Sequence, residues 1–202
     1  MSDVERRLAH GPMPALDRER LQAELRAAAE RAGLLDVAYA SVDSPLGELL
    51  VAVTPRGLVR LAYEGERSEA VMAELAERVS PRILNAPERT DAVRRELEEY
   101  FAGRRHGFET AVDWSLVRGF ASGVLQATAR VPFGEVATYA EVAAAAGSPR
   151  AYRAAGNALG ANPIPIVVPC HRIVHMGGGL GGYTGGLERK RYLLGLEGAP
   201  VG

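Results

Sequence analysis

Ile164-Pro165-Ile166-Val167-Val168-Pro169-Cys170-His171-Arg172-Ile173-Val174 carries the single cysteine of a 202-residue chain. The run is apolar and β-branched, it is interrupted by two prolines, and its thiol is followed directly by an imidazole and a guanidinium. A lone cysteine is by default a small buried hydrophobe. Here Pro169 stiffens the approach, His171 stands ready to take the thiol proton, and Arg172 adds positive charge that favours the thiolate, the nucleophilic form. The neighbourhood therefore reads as an activated nucleophile.

Just upstream, the apolar spacing predicts a helix over 115–129 that stops at Val131-Pro132-Phe133-Gly134. Thr138 then caps a short helix through Ala146, Gly147-Ser148-Pro149 breaks it, and another helix runs over 150–159. Two short helices about a tight turn make a helix-turn-helix candidate, a pattern that also serves plain packing. The second helix is expected to expose Ala151, Ala154, Ala155, Gly156 and Ala158 around Arg153. Small side chains let a backbone approach another surface closely, and a single projecting arginine suits the minor groove of a duplex.

Further out, residues 36–42, 48–54 and 58–63 are short apolar runs separated by Ser44-Pro45-Leu46-Gly47 and Pro55-Arg56-Gly57, which reads as an antiparallel meander. Helices follow over 68–79 and 90–101, so a sheet-then-helix domain closes near Asp113. Residues 17–32 have helical spacing with Gly33 as a stop signal. The domain reading is thus a helical extension at 1–35, an α/β domain at 36–113 and a helical domain at 114–202.

Composition narrows the function classes. With 47% apolar residues the chain can bury a substantial core. No apolar run approaches a membrane span, and the first residues lack the basic-then-apolar order of a secretion signal, so the cytoplasm is the expected location. One cysteine forbids an internal disulfide, and His10, His106, His171 and His175 have no zinc-ligand spacing, so no structural metal is expected. The formal charge of −1 is unevenly spread: from Trp114 onward there are eight bases against four acids, and before it 16 against 21. A basic half that also holds the candidate nucleophile points weakly to a polyanionic partner.

Residues 131–198 closely resemble the O6-alkylguanine-DNA alkyltransferases. The resemblance is carried by Pro169-Cys170-His171-Arg172, the helix residues Arg153-Ala154-Ala155-Gly156, Asn162-Pro163, and Gly182-Tyr183-Thr184-Gly185-Gly186-Leu187. Residues 36–113 match the family's variable first domain more loosely. The implied fold is α+β, a small ribonuclease-H-like α/β domain followed by a helical domain with a helix-turn-helix. The implied activity is irreversible, single-turnover transfer of the alkyl group of O6-alkylguanine, with O4-alkylthymine left open, from double-stranded DNA to Cys170. The resemblance also distributes roles. His171 would act as base through a water and Glu197 would orient it; Asn162 would brace the turns. Tyr139 would donate to the guanine ring, while the Ile173 carbonyl and the Thr184 backbone would read the base edge. Pro165 and Tyr183 would wall the alkyl pocket. Arg153 would fill the gap left by the flipped nucleotide, with Ala151, Tyr152, Ala154 and Gly156 against the groove. A monomer is expected in solution, with clustering on DNA left open.

Three departures stand out: Tyr152 where many relatives have alanine, Thr184 where serine is common, and the glycine-rich stretch 176–181. Residues 1–35 lie outside the resemblance. A non-catalytic damage sensor of the same fold would lack the cysteine. A sequence-specific regulator would need long polar readers that this alanine-rich helix does not offer. A cysteine hydrolase would need an oxyanion motif, and none stands out.

Overall fold

The computed structural model describes residues 18–200. Helix α1 (Arg18–Arg31) belongs to a unit of its own that ends at Leu35, and its exposed face carries an Arg20–Glu24 pair at 3.0 Å. The expected start of this helix at Asp17 falls outside the described residues.

The described residues from Asp36 onward form one compact unit. Strands β1 (Val37–Val42), β2 (Leu49–Thr54) and β3 (Gly57–Tyr63) make the expected antiparallel meander. Helix α2 (Ser68–Arg78) follows, and a short fourth strand, β4 (Ile83–Asn85), pairs in parallel with β1, giving the order β3-β2-β1-β4. This strand has no sequence signal, since three residues are too few to show alternation. Helix α3 (Pro87–Phe101) begins three residues before the expected Thr90, because Pro87 occupies the first helical turn, where its missing N–H costs nothing.

Both faces of the sheet are covered, which is why β3 is buried almost without interruption. Val37, Ala52, Val59 and Ala62 meet Val71 and Leu75 of α2, while Leu49, Val51, Leu58 and Leu61 meet Val93, Leu97 and Tyr100 of α3. A bulge at Val59, opposite the Ala52/Val53 step, puts Leu58 and Leu61 on one face although they are three apart.

The second cluster of helices shares the α3-side core. The expected helix over 115–129 splits: Asp113 accepts from Ser115 N at 3.0 Å and caps one 3-10 turn (Trp114–Leu116), Arg118 is extended, and helix α4 spans Gly119–Thr128. A two-residue strand, β5 (Ala137–Thr138), pairs in parallel with β6 (Ile173–Val174). Helix α5 (Tyr139–Ala145) opens on a capping box in which Thr138 and Glu141 satisfy each other's backbone N–H groups. Helix α6 (Tyr152–Gly160) starts two residues later than expected, because Pro149 and Arg150 are spent on a turn closed by Ala151 N donating to Ser148 O at 2.9 Å. Helix α7 (Leu187–Leu196) is the last helix among the described residues; the sequence pattern places no helix there, since Glu188-Arg189-Lys190-Arg191 obscures the apolar spacing.

Candidate active site

Asn162 organises the turn that presents the thiol. Its Nδ2 donates to Val168 O at 2.8 Å and to Cys170 Sγ at 3.1 Å, while its Oδ1 accepts from Ile164 N at 3.0 Å. Between them Ile166 is held at φ 72°, a left-handed conformation that costs a β-branched residue about 1–3 kcal/mol and survives only where its surroundings over-determine it. Cys170 then opens a 3-10 turn (Cys170–Arg172) and is 5% exposed. Burial pushes its thiol up to about 11, against opposing help from Asn162, Lys190 and nearby backbone N–H groups. The thiol is therefore protonated at neutral pH.

The cation beside this thiol is not the expected Arg172. That guanidinium turns away: its Nε and Nη2 donate to Glu197 Oε2 and Oε1 at 2.8 and 2.9 Å, and its Nη1 donates to Val131 O at 2.6 Å. Lys190 takes the place expected for it. It is fully buried and donates to the carbonyls of Ile173 at 2.5 Å and of Leu180, and burial lowers its pKa to about 8, with the neighbouring Cys170 as the opposing influence. The Ile173 carbonyl, expected to read a base edge, is thus already engaged by an ammonium.

His171 and Glu197 meet across 26 residues, Nε2 to Oε1 at 2.9 Å, with no exposed surface on either side chain. Burial lowers the His171 pKa against the raising effect of Glu197, so the ring is neutral. Burial also tends to raise Glu197, but hydrogen bonds from His171, Arg172 and Tyr100 outweigh it and hold the carboxyl at about 2. With Nε2–H donated to the carboxylate, Nδ1 is the free acceptor; it is buried and has no protein partner. It makes no direct hydrogen bond to the neighbouring thiol, so adjacency in sequence does not become contact.

A cavity of about 690 Å³ opens above Cys170, lined among others by Tyr139, Arg153, Gly156, His175, Tyr183 and Thr184. Tyr139 stands at the first turn of α5, its ring against His175 at 5.2 Å, and its hydroxyl faces the Gly182 backbone N–H. That leaves the phenolic hydrogen available for donation. Tyr183 hydrogen-bonds Tyr63 of β3, oxygen to oxygen at 2.6 Å, and Thr184 Oγ1 donates to Gly160 O at 2.6 Å, tying the loop to the end of α6. Pro165 and Ile173 are both buried and are not among the residues lining this cavity.

On α6 the side chains of Tyr152, Arg153 and Ala154 are exposed, Ala151 and Gly156 partly so, and Arg153 lies 5.8 Å over the Tyr152 ring. Ala155 and Ala158, expected outside, are buried at 0% and 8%, because the 3.6-residue period turns them toward the core. Sequence reasoning missed Tyr100, Lys190, Tyr63 and His175. Only His175 had a signal, its closeness to the cysteine motif.

Gly181 sits at φ 68°, and a Cβ there would lie 2.5 Å from the Tyr139 hydroxyl. Gly181→Ala is expected to displace the Tyr139 ring and slow any reaction that uses it by roughly tenfold or more, while Tm falls by only a few degrees, the cost of alanine at a left-handed position; unchanged rates would show that Tyr139 is not held by this loop. Among the described residues no cluster of His, Cys, Asp and Glu could hold a metal ion, and no helix is long and apolar enough to cross a membrane.

Residues 37–114 match the 6-O-methylguanine DNA methyltransferase ribonuclease-like domain, and residues 119–199 match the DNA-binding domain of the same family. A methylated-DNA–protein-cysteine methyltransferase of Mycolicibacterium paratuberculosis is 40% identical over 163 residues, covering 80% of this chain and 92% of the relative. The Homo sapiens protein of that name is 33% identical over 180 residues, covering 80% and 81%. The Mycobacterium tuberculosis protein OGT, solved in complex with DNA, superposes with a TM-score of 0.68 at 37% identity, covering 81% of this chain and 95% of that one.

Proposed function

The chain belongs to the 6-O-methylguanine DNA methyltransferase family and is a methylated-DNA–protein-cysteine methyltransferase, and we propose that it takes the alkyl group of O6-alkylguanine onto Cys170 after the damaged nucleotide has swung out of the duplex. The observation that carries this reading is the single thiol at a cavity that is also lined by Arg153, Tyr139, Tyr183 and Thr184.

The step balances without a cofactor. Sulfur attacks the alkyl carbon, an S–C bond forms as the C–O6 bond breaks, and the bond's electron pair stays on the guanine. The thiol proton passes through a water to His171 Nδ1, the acceptor left by the Nε2–Glu197 bond, and Tyr139 donates to the guanine ring as charge builds there. Asn162 holds sulfur in line. A thioether has no return path among these groups, so each molecule acts once. Base stacking keeps O6 out of reach of a recessed thiol, hence the need for Arg153 to enter the stack, with Tyr152 and Ala154 against the groove.

The alkyl-transfer reading spans residues 114–202 as the DNA-facing domain and 36–113 as its support, in a cytoplasmic monomer. The damage-sensor alternative loses its ground with the cysteine in place. Intact-protein mass spectrometry after mixing with a duplex containing one O6-methylguanine should show a gain of one methyl, mapped to the Cys170 peptide; lesion binding without that gain would favour the sensor. Arg153→Ala should slow repair of the duplex about 10- to 100-fold, the unstacking cost being a few kcal/mol, yet leave reaction with a free O6-alkylguanine base unchanged. Equal loss on both substrates would remove Arg153 from the flipping step.

A further inference from the structure

We infer that Tyr100, supplied by helix α3 of the sheet half, is a positioning residue for the transfer: its hydroxyl shares Glu197 Oε1 with the His171 imidazole and so sets how strongly the carboxylate pulls on that ring. The inference rests on the reading of His171 as proton acceptor.

The geometry is closed on every side. Tyr100 Oη donates to Glu197 Oε1 at 2.6 Å across 97 residues, and the same oxygen accepts from His171 Nε2 and Arg172 Nη2, each at 2.9 Å. Oε2 is taken by Arg172 Nε. The Tyr100 ring is fully buried and packed against Phe101, Phe108 and Phe133 with centroids 5.3–6.2 Å away, so the hydroxyl cannot turn to water. Burial and the adjacent carboxylate both resist its ionisation, which leaves it a donor wherever the protein is folded.

The chemistry follows from sharing. Each donor on Oε1 disperses carboxylate charge, and a carboxylate with fewer donors draws harder on those that remain. His171 also faces Cys170 and Arg172 of its own turn, Lys190 of α7 and the edge of the Tyr183 ring at 6.4 Å. None of these is a carboxylate that could take over from Glu197. Without the Tyr100 hydroxyl the carboxylate turns more of its charge on the imidazole. The ring then protonates more readily, and a protonated ring cannot take the thiol proton.

The test is the rate of methyl transfer from an O6-methylguanine duplex to the full chain as a function of pH. Tyr100→Phe is expected to move the acid limb up by about half to one pH unit, with the plateau above it within about threefold of the parent. Fluorotyrosine at position 100 keeps the ring and strengthens the donor, so the limb should move the opposite way; it also serves if the phenylalanine variant folds poorly. A limb that ignores both changes, or a rate lowered equally at every pH, overturns the inference and leaves Tyr100 as packing. His171→Gln separates the two readings. If its rate still levels off at the parent's pH, the proton-acceptor reading falls and this inference with it; if that plateau gives way to a rise continuing toward the thiol's own pKa, while the parent's limb ignores Tyr100, only the inference falls.

Discussion

Cys170→Ala will leave O6-methylguanine intact in the duplex and no methyl on the protein, while binding to the same duplex stays within about twofold. The loss is expected to be complete because no second thiol exists in the chain. Cys170→Ser should fail as well, although its hydroxyl could accept the same Asn162 hydrogen bond, because an alcohol is a far weaker nucleophile at its ordinary pKa. The buried thiol itself needs help. At about 11 it is ionised in roughly one molecule in ten thousand at pH 7. In His171→Gln, where no base assists, the residual rate should therefore climb about tenfold per pH unit toward pH 11, whereas the parent rate should be flat above its acid limb. Any methyl acceptor found in Cys170→Ala by peptide mapping would defeat the assignment.

Glu197→Ala is expected to be the most destabilising single change at the site. The carboxylate answers His171, Tyr100 and two nitrogens of Arg172, and its removal strands a guanidinium that is 6% exposed. Breaking a buried pair in this way costs about 3–5 kcal/mol, or roughly 10 °C in Tm for a chain of this size. The pH dependence has a definite sign. The folded pKa, about 2, lies below the ordinary 4.5, so the contribution is full above pH 4.5 and is lost as pH falls from there toward 2. Urea denaturation at pH 7 and pH 3 should show parent and variant far apart at the first and much closer at the second. A constant gap would mean that Glu197 is not the titrating group.

Much of this molecule was legible in the chain because it is encoded locally. The three meander strands follow from β-branched runs between Pro-Gly and Ser-Pro turns, and helix α5 follows from Thr138 with Glu141 three residues on. The thiol, its imidazole neighbour and the projecting Arg153 could likewise be named from the residues and the resemblance they carry. What the sequence did not determine is who faces whom. Arg172 stands beside the cysteine in the chain yet spends its donors on Glu197 and Val131 O, while Lys190, hidden in a charged run, is the cation near the sulfur. Ala155 and Ala158 were placed outside because small residues carry no mark of the face they occupy. Tyr100 reaches Glu197 across 97 residues, and no local pattern records such a contact. Periodicity and turn chemistry act within one element, so sequence alone determines them. Burial of a charge, the partner of a carboxylate and the pKa of a thiol depend on packing between elements, and only the tertiary structure decides those.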